Sequence, residues 1–233
     1  MVATLHTLRT RRKRARESVE ILVEHYGSPT LNNKEDPLDE LVFIVLSQMT
    51  TAPSYERVFD RVKNAIRDWA MLAEIPVGHL TTLIRDAGLS GQRAARLKQI
   101  AARLLEDFGE VSLDEVAGYD DERAQTYLRS LPGVGLKTAK CVMMYSLGRP
   151  VLPVDTHTAR VAVRLGLVAD GSVASIDRVL PAVVAPALRY DFHVNAVAHG
   201  RSVCRAPRPR CSECVLARLC PVGREVRPSP RRA

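Results

Sequence analysis

The stretch Leu131-Pro132-Gly133-Val134-Gly135-Leu136-Lys137-Thr138-Ala139 decides how this chain folds. Its proline and two glycines interrupt an apolar pattern that is helical on both sides, ending near Ser130 and resuming from about Lys137 to Leu147. Gly133 and Gly135 lack Cβ atoms, so the backbone there can turn tightly and come close to a ligand. The N–H groups that open the following helix favour an anion such as a nucleic-acid phosphate. The segment predicts a helix-hairpin-helix; taken alone, the same residues also suit a plain tight turn.

Working outward, the rest of the chain reads as helix nearly everywhere. Val19, Leu22, Val23 and Tyr26 recur at helical steps, as do Tyr55, Val58, Phe59 and Val62, and then Leu97, Ile100, Ala101, Leu104, Leu105 and Phe108. Gly and Pro fall between these stripes, at Gly27-Ser28-Pro29, Ile75-Pro76, Ala87-Gly88, Gly148-Arg149-Pro150 and Gly166. No segment reads as a convincing strand, since the apolar piece Val151 to Val154 contains Pro153 and reads as a linker. The predicted fold class is all-α with short connections. The apolar stretches Leu41 to Leu46 and Val179 to Val184 read as core helix.

Composition bounds the function. A chain of 233 residues, 46% hydrophobic and 26% charged, suits one globular body or two small lobes and excludes disorder and collagen. The longest apolar run, Leu41 to Leu46, is far short of the roughly 20 residues that span a bilayer, so no membrane partner is expected. With no signal-peptide pattern, the expectation is a soluble, non-secreted protein. Residues 9–16 (RTRRKRAR) contribute +6 and residues 201–233 contribute +7 to a net charge of +8, which leaves an acidic middle. Basic ends of this kind suggest a polyanion-binding face, because each neutralised phosphate releases counterions. The plainer alternative is a pair of solvated tails.

Four of the five cysteines, Cys204, Cys211, Cys214 and Cys220, lie in one short segment. An odd total without a secretion signal argues against a disulfide framework and for a metal centre. Zinc and iron-sulfur clusters both accept four thiolates, but structural zinc usually shows two tight pairs, and here the central pair alone is tight. The spacing leans towards a cluster. Cys141, in the apolar stretch Cys141 to Tyr145, reads as a small buried hydrophobe.

LPGVGLKTA, the later Val154-Asp155-Thr156-His157, the His199-Gly200-Arg201 before Cys204, and the cysteine spacing together resemble the endonuclease III family of DNA glycosylases. Leu46-Ser47-Gln48-Met49-Thr50-Thr51 resembles that family's Gln-containing loop, and Gly88-Leu89 followed by Arg93-Ala94 its DNA-wedge loop. The resemblance implies a two-lobed helical protein, with a six-helix barrel at 37–149 inserted between an N-terminal arm and helix (1–36) and a cluster lobe (150–223), followed by a basic tail (224–233). It implies a 4Fe-4S cluster on the four cysteines, double-stranded DNA with a damaged base or abasic site as partner, and a monomer. It also implies that Lys137 and Asp155 face each other over a cleft.

The chemistry suits those two residues. A lysine amine can attack the sugar C1′ of a damaged nucleotide and form a Schiff base, provided that it is deprotonated. A position near a helix N-terminus, with Lys140 one turn on, disfavours the ammonium form. Asp155 resembles a helix N-cap, which keeps it ionised and able to stabilise cationic sugar character. Base extrusion also needs a gap filler: Gln48 is the first candidate, with Leu89 and Gln92 at a second wedge. The loop Leu89-Ser90-Gly91-Gln92 has no aromatic residue after the leucine, and Thr51 stands where relatives often have an acid, so the damaged-base preference stays open. Arg205, Arg208 and Arg210, between prolines in the cluster loop, are candidates for phosphate contacts along with Gly133 and Gly135. His157, His193 and His199 read as packing or hydrogen-bonding residues.

The expected function is a bifunctional DNA glycosylase and abasic-site lyase acting on oxidised pyrimidines. The alternatives are a mismatch-specific thymine glycosylase of the same superfamily and a non-catalytic iron-sulfur DNA-binding protein. Presence of both Lys137 and Asp155 argues against the last, and the lysine argues against an adenine-specific enzyme. Residues 9–16 read as a DNA-binding arm or a targeting segment, with a bacterial nucleoid as the default location and nucleus or mitochondrion as the eukaryotic one.

Overall fold

The apolar stripes fold as helices where their spacing places them, and no strand occurs among the described residues. A computed structural model describes residues 2–47, 52–169 and 171–226. It contains α1 (Val2–Tyr26), α2 (Pro37–Ser47), α3 (Ala52–Ala65), α4 (Met71–Glu74), α5 (Val77–Leu83), α6 (Ser90–Phe108), α7 (Asp114–Ala117), α8 (Asp121–Ser130) and α9 (Leu136–Tyr145). After an extended linker follow α10 (Thr156–Arg164), α11 (Val173–Val183), α12 (Arg189–Ser202) and α13 (Pro221–Val226). No described helix is long and apolar enough to cross a membrane.

The chain divides into two units, Asn32–Arg149 and the combination of Met1–Leu31 with Pro150–Ala233. Residues 32–36, expected with the N-terminal helix, go instead with the central unit. The Asn33 amide and the Lys34 N–H both donate to the Glu40 carboxylate, and Ser146 Oγ donates to the Lys34 carbonyl, so this segment is tied to α2 and α9.

In the central unit, α2 is the core helix. From Leu41 to Leu46 every side chain is buried, because α3, α6 and α9 all pack on it and leave it no solvent face. Among the described residues of this unit, the helices of seven or more residues are α2, α3, α5, α6, α8 and α9. In the other unit the buried helix is α12, with Phe192, Val194, Ala196 and Val197 inside, flanked by α1 through Ala15, Val19 and Leu22 and by α10 through Val161 and Ala162. Gly200 permits the close approach of α10, since a Cβ there would lie 2.8 Å from the Cβ of His157. The stretch Val179 to Val184 is not wholly core: Val183 and Val184 are buried, but Ala182 is exposed and the helix stops at Val183.

Candidate active site and cysteine centre

Helices α8 and α9 pack together and are joined by the predicted hairpin. Gly133 adopts φ +71°, and a Cβ there would fall 2.0 Å from Nε of Arg96, so the fold itself requires glycine at this position. Gly135 differs: its φ is −87° and nothing lies within 4 Å of where a Cβ would be. The packing of the protein therefore does not itself demand glycine at 135. Lys137 is exposed in the first turn of α9, beside N–H groups that a helix start leaves without intrahelical acceptors. Lys140, one turn on, is buried, as is Cys141.

The charge nearest this lysine in sequence reasoning was Lys140; the structure adds an acid that was missed. Glu40, on α2, is wholly buried, and burial pushes its carboxyl up to about 7, against the pull of the Lys34 N–H, the Asn33 amide and the positive charges of Lys137 and Lys34. An acidic residue directly against the apolar run Leu41 to Leu46, two positions after Leu38, was the available signal.

Leu89 sits in the left-handed region at φ 47°, ψ 34°, and is 56% exposed. A leucine held there with its side chain in water is strained and gains nothing from burial, which makes it a candidate for insertion into a partner. Gln92 is exposed in the first turn of α6. Gln48 lies outside the described residues. The chain just before it is held by a residue that the sequence marks only as part of the wedge-loop resemblance: buried Arg93 donates through Nη1 to the Leu46 carbonyl at 2.7 Å and to the Ala87 carbonyl at 2.5 Å. One guanidinium thus anchors both the end of α2 and the turn that presents Leu89.

In the other unit, Asp155 caps α10, its Oδ1 accepting the Thr158 N–H at 2.7 Å. Burial pushes this carboxyl up, but the opposing influences of His193, the Thr158 backbone and side chain, and His157 prevail and hold it below the usual carboxylate range. The Thr158 hydroxyl is 3.1 Å from Nδ1 of buried His193. The histidines act as hydrogen-bonding residues: His157 Nδ1 lies 3.0 Å from Arg160 Nη2, and His199 Nδ1 lies 3.0 Å from the Tyr26 hydroxyl.

Cys204, Cys211, Cys214 and Cys220 line one cavity with Arg164, Val203, Val222 and Gly223. Among the described residues, no three His, Cys, Asp or Glu converge where a single ion would sit, although the four cysteines line one cavity. Burial pushes the Cys214 thiol up to about 11 and also raises Cys220, while backbone N–H groups of Leu216, Val222 and Gly223 donate towards these sulfurs. Buried thiols surrounded by N–H donors suit thiolates neutralised by a metal centre. Two arginines one turn apart on α10, unnoticed in the sequence, hold the loop. Arg160 donates to the Cys204 and Gly200 carbonyls at 2.7 and 2.9 Å. Arg164 donates to Cys204 Sγ at 3.3 Å and to the Arg205 and Ala206 carbonyls at 2.8 and 2.9 Å. Arg205, Arg208 and Arg210 are exposed on this loop, with Arg210 paired to Glu213 at 3.5 Å.

Comparison with known proteins extends these observations. The profile of the HhH-GPD superfamily base excision DNA repair protein matches residues 42–182, from α2 through α11. Endonuclease III of Escherichia coli (strain K12) is 31% identical over 207 residues, which cover 88% of this chain and 93% of that protein. A trapped endonuclease III–DNA covalent intermediate, in its estranged-adenine complex, superposes with a TM-score of 0.80 and 26% identity over 92% of this chain and 98% of the other. A thermostable thymine-DNA glycosylase shares the fold, with a TM-score of 0.77 and 22% identity over 91% of this chain and 98% of that one.

Proposed function

Because the chain belongs to the HhH-GPD superfamily of base excision DNA repair proteins, we propose that it is a bifunctional DNA glycosylase and abasic-site lyase removing oxidised pyrimidines from duplex DNA. The observation that carries this reading is Lys137, an exposed amine in the first turn of α9 directly behind the glycine hairpin. The hairpin N–H groups would hold a backbone phosphate. The Lys137 amine would then attack the sugar C1′, the base would leave with its electron pair and take up a proton, and the nitrogen would lose a proton; cleavage of the C1′–O4′ bond, with protonation of O4′, would open the sugar ring and give the Schiff base. Abstraction of a C2′ proton and departure of the 3′ phosphate complete β-elimination and nick the strand. Asp155, held ionised, would stabilise the cationic sugar. Capture of the related endonuclease III as a covalent intermediate with DNA supports a covalent step here.

Leu89, Gln48 and Gln92 would fill the space vacated by the extruded base. Cys204, Cys211, Cys214 and Cys220 would hold a 4Fe-4S cluster, whose contribution when bound is to fix the shape of the loop bearing Arg205, Arg208 and Arg210. Arg160 and Arg164 already organise that loop through its carbonyls. The protein would act as a monomer on DNA, in the nucleoid of a bacterium.

Borohydride trapping on duplex DNA with one abasic site tests the proposal. A covalent band with the wild type that vanishes in Lys137→Ala, with DNA affinity retained, is the expected result. A band that persists in Lys137→Ala would assign the nucleophile elsewhere. No band with the wild type, DNA binding being intact, would replace the lyase by a monofunctional glycosylase.

A further inference from the structure

The basic run at 9–16 has a structural setting that DNA chemistry at the hairpin and cluster loop does not use. It is helical, within α1, and Arg9, Arg12, Lys13 and Arg16 recur at three- and four-residue steps, so they share one face. That face forms one side of a cavity of about 700 Å³, whose other side is the segment from Pro181 to Arg189. Every charged residue lining the cavity is basic. Its floor and far wall are apolar, with Val183 and Val184 buried and Ala185 and Pro186 exposed.

Part of the positive charge has a structural job. Arg12 Nε donates to the Ala182 carbonyl at 2.9 Å and Arg189 Nη2 to the Pro181 carbonyl at 2.7 Å, so both satisfy acceptors that the end of α11 leaves open. Arg9, Lys13 and Arg16 have no such duty in the groove. Lys13 and Arg16 meet Glu17 and Glu20 at 3.7 Å, in pairs whose cationic side chains are 70% and 63% exposed and therefore well screened by water.

We propose that this groove is a docking site for an acidic peptide segment of a partner protein, its carboxylates on Arg9, Lys13 and Arg16 and its apolar side chains against Ala185, Pro186 and Leu188. A concave surface with cationic rim and apolar floor is complementary to such a segment. A duplex backbone offers phosphates but no apolar group to fill the floor, so the groove favours peptide over DNA. The groove lies at the N-terminal end of α12, and the cluster loop follows its C-terminal end. The fourteen residues of α12 span about 20 Å, beyond the roughly 8 Å screening length at physiological salt. A bound peptide therefore leaves the cluster loop available.

The test is fluorescence anisotropy of the full chain with a labelled Glu-rich peptide carrying leucines, with the same peptide bearing serines in place of leucine, and with undamaged duplex. The leucine peptide should bind more tightly than the serine one. Both the Arg9→Glu/Lys13→Glu/Arg16→Glu variant, which spares Arg12, and the separate Ala185→Asp variant should weaken it by about tenfold or more, with a clearly smaller loss of duplex affinity. No binding of the leucine peptide, equal affinity for the two peptides, or an affinity that neither variant alters would overturn the proposal. A loss of duplex affinity in the charge-reversed variant that matches or exceeds the loss of peptide affinity would also overturn it and make the groove a phosphate track.

Discussion

Asp155 accepts the backbone N–H of Thr158 at 2.7 Å, so the candidate catalytic carboxylate is also the cap of α10. The two roles separate by substitution. Asparagine keeps an acceptor at the cap and removes the charge, whereas alanine removes both. Asp155→Asn should therefore lose most of the glycosylase and lyase turnover while unfolding within about 0.5 kcal/mol of the wild type, and Asp155→Ala should lose turnover and about 1 kcal/mol of stability. Chemical denaturation beside single-turnover cleavage checks both, and full activity in Asp155→Asn would reduce the residue to a cap.

The hairpin glycines should respond differently from each other. Gly133→Ala forces φ +71° on a residue with a Cβ and pushes it into the Arg96 side chain, which can swing away but must then be repacked. A cost of about 1 to 2 kcal/mol in stability is expected. Gly135→Ala meets no protein atom within 4 Å and should leave stability nearly unchanged while weakening affinity for duplex DNA, because its methyl group stands where the phosphate would approach. Equal affinity of Gly135→Ala and wild type would show that the phosphate is held elsewhere.

The local elements were legible because their signals are local. The glycine pair at 133 and 135, the cap at Asp155 and the stripes of α1, α3 and α6 each depend on residues within a turn or two. Long-range ties left weaker marks. Arg93 looks like one more helix arginine until two carbonyls from different segments are seen to share its Nη1. Arg160 and Arg164 carry no local signal, because the chain they hold is some 40 residues away in sequence. Glu40 broke the apolar pattern of α2 visibly, but its partners Asn33 and Lys34 belong to a segment without periodicity. The groove beside α1 was hidden for a similar reason: Val179 to Val184 reads as core helix until the exposure of Ala182, and of Ala185 and Pro186 beyond it, is seen.

Burial of Glu40 makes stability depend on pH in a stated direction. Its carboxyl is raised from 4.5 to about 7, so the folded state binds the proton more tightly than the unfolded chain. The stabilisation is full below about pH 4.5 and is lost as pH rises through about 7. The size of this contribution is at most about 3 kcal/mol. Glu40→Gln removes the titration but keeps an acceptor for one of the two donors, Asn33 or Lys34, and not for both; it should lower stability overall and flatten the dependence of unfolding free energy on pH between these limits. Parallel wild-type and variant profiles would place the titrating group elsewhere.

The three arginines of the cysteine-bearing loop should contribute unequally to DNA binding. Each phosphate contact removed lowers the slope of log K against log salt by about 0.9, so replacing all three by alanine should reduce it by up to about 2.7. Arg210 begins from an ion pair with Glu213 at 3.5 Å and must exchange one carboxylate for a phosphate, whereas Arg205 spends its Nε on the Ser202 carbonyl at 3.1 Å and Arg208 is exposed beside two prolines. Arg208→Ala should therefore change the slope more than Arg210→Ala. Glu213→Gln, which releases Arg210 without altering its charge, should strengthen binding slightly at low salt. Measured slopes identical to wild type in the triple variant would move the phosphate contacts off this loop and leave the hairpin as the principal anion site.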